Sequence, residues 1–123
     1  MSATRILLDT NIAIYLFRGH EKLVRELDYN DLSISSITRV ELLAWKEIDD
    51  VQKLWMENFM ERCELIRVNK GIEDIGIGII REYGLGIADA LVAATAMFEG
   101  IALMTADKDF KRIDRGLKLL FYS

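Results

Sequence analysis

Residues 6–11, Ile6-Leu7-Leu8-Asp9-Thr10-Asn11 (ILLDTN), carry the decision about the fold. A short aliphatic run without polar alternation reads as a strand buried on both faces, here over residues 4–8, and such strands belong to parallel sheets. It stops on a carboxylate and two small polar residues, and an apolar helical pattern, TNIAIYLF, follows without a linker. In open parallel sheets, ligands bind beyond the carboxyl ends of the strands. Asp9 therefore stands either at a binding site or as the N-cap of the helix behind it, a place Asp fills well.

Outward from that strand the pattern keeps alternating. Helices are expected over residues 10–17, 21–28, 36–47, 50–61, 70–83 and 87–99, and strands over 32–35, 64–68, 101–104 and 117–122. Gly84 is expected to stop the fifth helix. Strands alternating with helices imply an α/β fold: a three-layer α/β/α sandwich with a central, mostly parallel sheet of four to five strands. With 123 residues, no internal repeat, no low-complexity tract and no proline, the chain reads as one domain over residues 1–123.

Composition narrows the class. The chain is 51% hydrophobic and 29% charged, as folded globular proteins are. No apolar run is long enough for a membrane span and no signal-type segment opens the chain, so no membrane partner and a cytoplasmic location are expected. The single Cys63 fits that compartment and is expected as a core thiol. A net charge of −4 argues at first against a nucleic-acid partner. Divalent cations held by some of the carboxylates would reverse the field at their site, so net charge does not decide the matter.

Two helical acids are the strongest local signals. At about 100° per residue, Ile37, Val40, Ala44 and Ile48 form one stripe with Glu41 inside it, while Arg39 and Lys46 fall opposite. Glu41 is thus expected to point toward the core, where an unpaired carboxylate is costly and needs a compensating partner. A buried Arg or Lys would serve, and so would a metal or a shared acidic site. Asp89 lies in the first turn of a helix apolar nearly all round, with Ala93 and Ala96 on its face. The helix dipole alone would favour an acid there. Together with Asp9 and Asp107, and with Asp109 nearby, these acids come from four separated segments. Hard oxygen donors of this kind suit Mg2+ or Mn2+.

Other chemistries lack their residues. His20, the one histidine, sits in a turn-like Arg18-Gly19-His20-Glu21 and is expected to be solvated; a Ser-His-Asp or Cys-His mechanism would rest wholly on it. Zinc ligands are too few. Gly76-Ile77-Gly78 lacks the third glycine of a dinucleotide loop, and no Gly-Lys-Ser/Thr phosphate loop exists. A haloacid-dehalogenase-type phosphatase needs a second Asp two residues after the first, where this chain has Asn11, and an amide cannot relay the proton. No acidic pair closes the first strand as a receiver domain requires. A non-catalytic module whose acidic pocket docks a basic protein partner remains as the alternative. Trp55 and Phe59, four apart, share a helical face that is expected to be core, with part of this aromatic surface, including Trp45 and Met60, available to a partner.

Four pieces in order, LLDTN (7–11), SSITRVEL (35–42), GIADALVAATA (86–96) and TADKDF (105–110), resemble the PIN-domain family and, within it, the toxins of VapBC-type toxin–antitoxin pairs. The resemblance covers nearly the whole chain and implies the same sandwich fold. It implies a Mg2+- or Mn2+-dependent ribonuclease whose acidic cluster is Asp9, Glu41, Asp89 and Asp107, with Asp109 as substitute for the fourth. Asn11, Thr38 and Thr105 match small polar positions that orient the acids or contact substrate. An RNA substrate, a VapB-like antitoxin that inserts Arg or Lys near the acids, and a symmetric homodimer are the partners it implies.

Overall fold

The computed structural model describes residues 4–27 and 31–123. Five strands, β1 (Arg5–Leu8), β2 (Asp31–Ser35), β3 (Glu64–Ile66), β4 (Ala102–Thr105) and β5 (Leu119–Phe121), form one sheet in the order β3-β2-β1-β4-β5. Every neighbouring pair is parallel. The expected mostly parallel sheet is present, with five strands and no antiparallel pair among the described residues.

Alternation along the strands sorts the two cores. Ile6 and Leu8 of β1, Ile34 of β2 and Met104 of β4 face one side, where α1 (Thr10–Phe17), α2 (Glu21–Glu26) and α4 (Asp50–Arg62) supply Ile12, Leu23, Met56 and Met60. Leu7 and Leu103 face the other side, against α5 (Lys70–Tyr83) and α6 (Ile87–Glu99). Both faces of the central strands are covered, which is why ILL carries no polar residue. The two helices of the second layer lie close: a Cβ at Gly76 would stand 2.9 Å from Leu91 Cδ2 and 3.8 Å from Ala94 Cβ. Small residues on α6 permit that approach. Gly84 ends α5 in the left-handed conformation (φ 72°), as its position suggests.

Several expectations are corrected. Helix α3 (Ser36–Leu43) ends at Leu43, short of residue 47, and is rotated from the anticipated orientation. Its buried residues are Thr38 and Leu42, whereas Val40 is 60% exposed and Glu41 is also exposed. Of the aliphatic stripe, Ile37 and Ile48 pack against the core, but Val40 and Ala44 do not, because the helix turns Thr38 and Leu42 inward and leaves Glu41 on its shoulder. Trp55 is likewise not core: it is 64% exposed, while Phe59 is half-buried and meets Phe17 edge-on at 5.0 Å. On α4 the core face is Met56 and Met60 instead. Cys63 is half-buried, and burial pushes its thiol up to about 11, so it stays protonated near neutral pH. The expected helix over 21–28 is seen through Glu26; Asp28 lies outside the described residues. A short 3₁₀-helix, η1 (Lys108–Arg112), follows β4 and was not anticipated.

Candidate active site

Strand register places the first acid. Leu8 pairs with Met104, and the ladder runs one step further, Asp9 N–H donating to the Met104 carbonyl at 2.9 Å. Asp9 thereby comes level with Thr105, the last residue of β4, whose hydroxyl donates to Asp9 Oδ2 at 2.7 Å. The other carboxylate oxygen accepts from Thr10 N–H at 2.8 Å and caps α1. Asp9 caps the helix and also stands at the carboxyl end of the sheet. The side chain is only 6% exposed, and burial, opposed by the Thr105 and Thr10 hydrogen bonds and reinforced by the charges of Asp89 and Glu41, raises it to about 6.

Around it the remaining acids arrive from three other segments. Asp89 occupies the first turn of α6 and is raised by burial and then by the charges of Asp107, Glu41 and Asp109. Asp107 caps η1, its Oδ1 accepting from Asp109 N–H at 2.9 Å, and its own N–H donates to Thr105 Oγ1 at 3.0 Å. Thr105 therefore ties Asp9 to Asp107 through a single hydroxyl. Glu41 is held from below: Thr10 Oγ1 donates to Glu41 Oε1 at 2.7 Å, and the fully buried Thr38 hydroxyl lies 3.3 Å from Thr10 Oγ1. Asn11 is exposed at the second position of α1.

Thr10 is the contributor that the sequence reading did not single out. Its partner lies 31 residues away, beyond the reach of any local pattern; only its place directly after Asp9 signalled it.

All five acids thus share one electrostatic neighbourhood without a compensating cation. The ion pairs among the described residues join Arg5 to Glu64 and Glu99, Lys70 to Asp74, and Arg115 to Glu82, and none includes these acids. The buried Arg or Lys weighed for Glu41 is therefore not there. Equally, among the described residues no three acidic, thiol or imidazole groups converge closely enough to enclose a metal ion. Carboxylates that repel one another splay when nothing positive lies between them. The donor set is all hard oxygen and suits Mg2+, which is held through one or two carboxylates and retains several waters. A surface recess of about 360 Å³ lined by Phe17, Arg18, Trp45 and Trp55 among others includes none of the acids.

The family model of the PIN domain matches residues 6–116, which span every acid described above. The chain belongs to the PIN-domain family. Ribonuclease VapC1 of Rickettsia felis is 32% identical over 96% of this chain and 96% of its own length. Among solved structures, VapBC2 from Rickettsia felis, bound to a DNA fragment from its promoter, has a chain that superimposes on this PIN domain with a TM-score of 0.84 at 25% identity, covering 98% of this chain and 100% of that one. A toxin–antitoxin complex from Klebsiella pneumoniae gives 0.80 at 27% identity over 94% and 95%. VapBC-1 from nontypeable Haemophilus influenzae gives 0.79 at 26% over 96% and 98%.

Proposed function

We propose that this PIN domain is a Mg2+- or Mn2+-dependent endoribonuclease, the toxin of a VapBC-type pair, acting in the cytoplasm on RNA. The observation that carries the reading is the set of acids from four segments, Asp9, Glu41, Asp89 and Asp107, each within the field of others and none in an ion pair among the described residues. The similarity to Ribonuclease VapC1 over nearly the full length supports the reaction class.

Asp9 and Asp89 would hold the ion, with Glu41 and Asp107 completing the site and Asp109 adjoining it. When bound, the metal supplies Lewis-acid activation of water and of the phosphate. The chain's own residues perform the positioning. Thr105 aims Asp9 and helps keep it ionised, Thr10 fixes Glu41, and Asn11, exposed on the first turn of α1, would contact substrate. A phosphodiester brought to the carboxyl ends of β1 and β4 would meet carboxylates from four segments of the chain.

A VapB-like antitoxin is the proposed protein partner, supported by the toxin–antitoxin complexes among the structural neighbours. It would cover the outer face of α4, where Val51, Leu54 and Trp55 are 66%, 58% and 64% exposed opposite the core residues Met56 and Met60. A basic side chain of that partner would supply the positive charge the acids lack. A symmetric homodimer is proposed from the family resemblance. No described helix is long and apolar enough to cross a membrane.

The test is cleavage of single-stranded RNA by purified protein with Mg2+ or Mn2+. Cleavage that is lost in Asp9→Asn and Asp89→Asn, with both variants folded, is the expected result. Equal inertness of wild type and variants, with unchanged binding to a basic partner, would favour the docking module.

A further inference from the structure

The acids account for where a phosphate would be cut, but not for what grips an anionic chain beside them in a molecule of net charge −4. Residues 108–118 depart from that balance, with five basic side chains against two acidic ones, and they begin immediately after Asp107. The 3₁₀ geometry of η1 sorts them. With three residues per turn, side chains at i and i+3 eclipse one another. Phe110 and Ile113 share the inward face and are 0% and 7% exposed. Lys108 and Lys111 share a second face, about 6 Å apart along the axis, and both are exposed.

The other cations of this segment are committed or misplaced. Arg112 donates to the Tyr83 carbonyl and Arg115 pairs with Glu82 at 2.9 Å, so both arginines pin the segment to the end of α5. Lys118 stands at the opposite end of the strand, its carbonyl accepting from Leu103 N–H. Lys111 instead holds its ammonium 4.1 Å from the centre of the Phe121 ring. Phe121 is paired in register with Thr105, the residue whose hydroxyl binds Asp9. Lys111 therefore stands at the carboxyl end of the sheet over the β5 edge, and Lys108 stands one 3₁₀ turn before it, directly after Asp107 in the chain. Although Asp107 and Asp109 flank Lys108 in sequence, neither lysine is in an ion pair among the described residues.

We infer that Lys108 and Lys111, with Phe121 beneath the second, form a subsite that grips successive phosphates of a single-stranded RNA leaving the acidic site over the β5 edge. This rests on the ribonuclease reading of that site. RNA is favoured over an acidic protein because the repeat along η1 is about one nucleotide step, the path starts at a site built for phosphate chemistry, and an aromatic ring beside cations is what unpaired bases stack on.

The test compares wild type, Lys108→Gln, Lys111→Gln, the double variant and a Lys53→Gln control, whose exposed lysine lies on α4. Cleavage of an oligouridylate is measured across a range of salt concentrations. The expected result is a raised KM with kcat unchanged, and a salt dependence of log KM shallower by about 0.7 for each lysine removed, with Lys53→Gln superimposing on wild type. Lys111→Met, which retains aliphatic cover on Phe121, replaces Lys111→Gln if the latter melts early. Variants indistinguishable from wild type while wild type cleaves would overturn the subsite alone. Should wild type cleave nothing, the ribonuclease reading falls, and anisotropy of the uncleaved oligouridylate then judges the subsite: weaker binding by the double variant supports it, equal binding ends it. Competition by polyglutamate as strong as by oligouridylate would assign the face to an acidic protein and refute RNA.

Discussion

Removing the charge of Asp9 should stabilise the metal-free protein at neutral and alkaline pH. The carboxyl is buried and raised to about 6, against an ordinary value of 3.8 in the unfolded chain. A raised folded-state value means that the native protein binds the proton more tightly. Its contribution to stability is fully present below the unfolded value and is lost as pH rises through about 6. That difference of roughly two pKa units corresponds to about 3 kcal/mol at pH 8. Asparagine remains a good N-cap and keeps an oxygen for Thr10 N–H, but it presents an amide where Thr105 now donates, a loss of about 1 kcal/mol. The net gain is about 2 kcal/mol, or about 5–10 °C in Tm for a domain of this size. Calorimetry of wild type and Asp9→Asn in EDTA at pH 8 and pH 4 checks it. The variant should melt higher at pH 8, and the gap should close or invert at pH 4. A variant less stable by the same amount at both values would refute the electrostatic account.

Thr105→Val removes the hydrogen bond that lowers Asp9, so the acid limb of the cleavage profile should move up by about one pH unit, while Thr105→Ser leaves it in place; pH–rate measurements on both variants decide. Thr10→Val frees Glu41 and should cut kcat by about tenfold or more with Tm little changed, whereas Thr10→Ser restores activity; an unchanged kcat would remove Thr10 from the site. On α5, Gly78→Ala meets nothing within 4 Å and should raise stability by about 0.5–1 kcal/mol, while Gly76→Ala, whose Cβ would stand 2.9 Å from Leu91 Cδ2, should gain less or lose; equal gains in urea titrations would contradict the close packing of α5 on α6.

How far the sequence could be read depended on how local each determinant is. The sheet was legible because ILL, with acid and helix directly behind it, has few alternatives, and because the first three strands are each followed by a helical pattern. Asp9 and Asp89 were legible for the same reason: one ends a strand and the other opens a nearly all-apolar helix. Glu41 was placed in the right segment but on the wrong face. The wheel treats Val40 as a core residue and Thr38 as neutral, whereas packing buries Thr38 beside Thr10 and leaves Val40 in solvent. Trp55 misled in the same way, since an aromatic left in solvent and one facing the core follow the same helical spacing. The Thr10–Glu41 contact spans 31 residues, and η1 is too short to carry a period, so neither left a readable trace. Family resemblance filled part of that gap by grouping acids from separate segments into one expected site.

The account depends on acids that lack their counter-charge. Calorimetric titration of Mn2+ into the purified protein tests this most directly. Saturable binding in wild type, lost or greatly weakened in Asp9→Asn and Asp89→Asn, is the predicted outcome. Absence of binding in wild type, or equal binding by all three proteins, would contradict it.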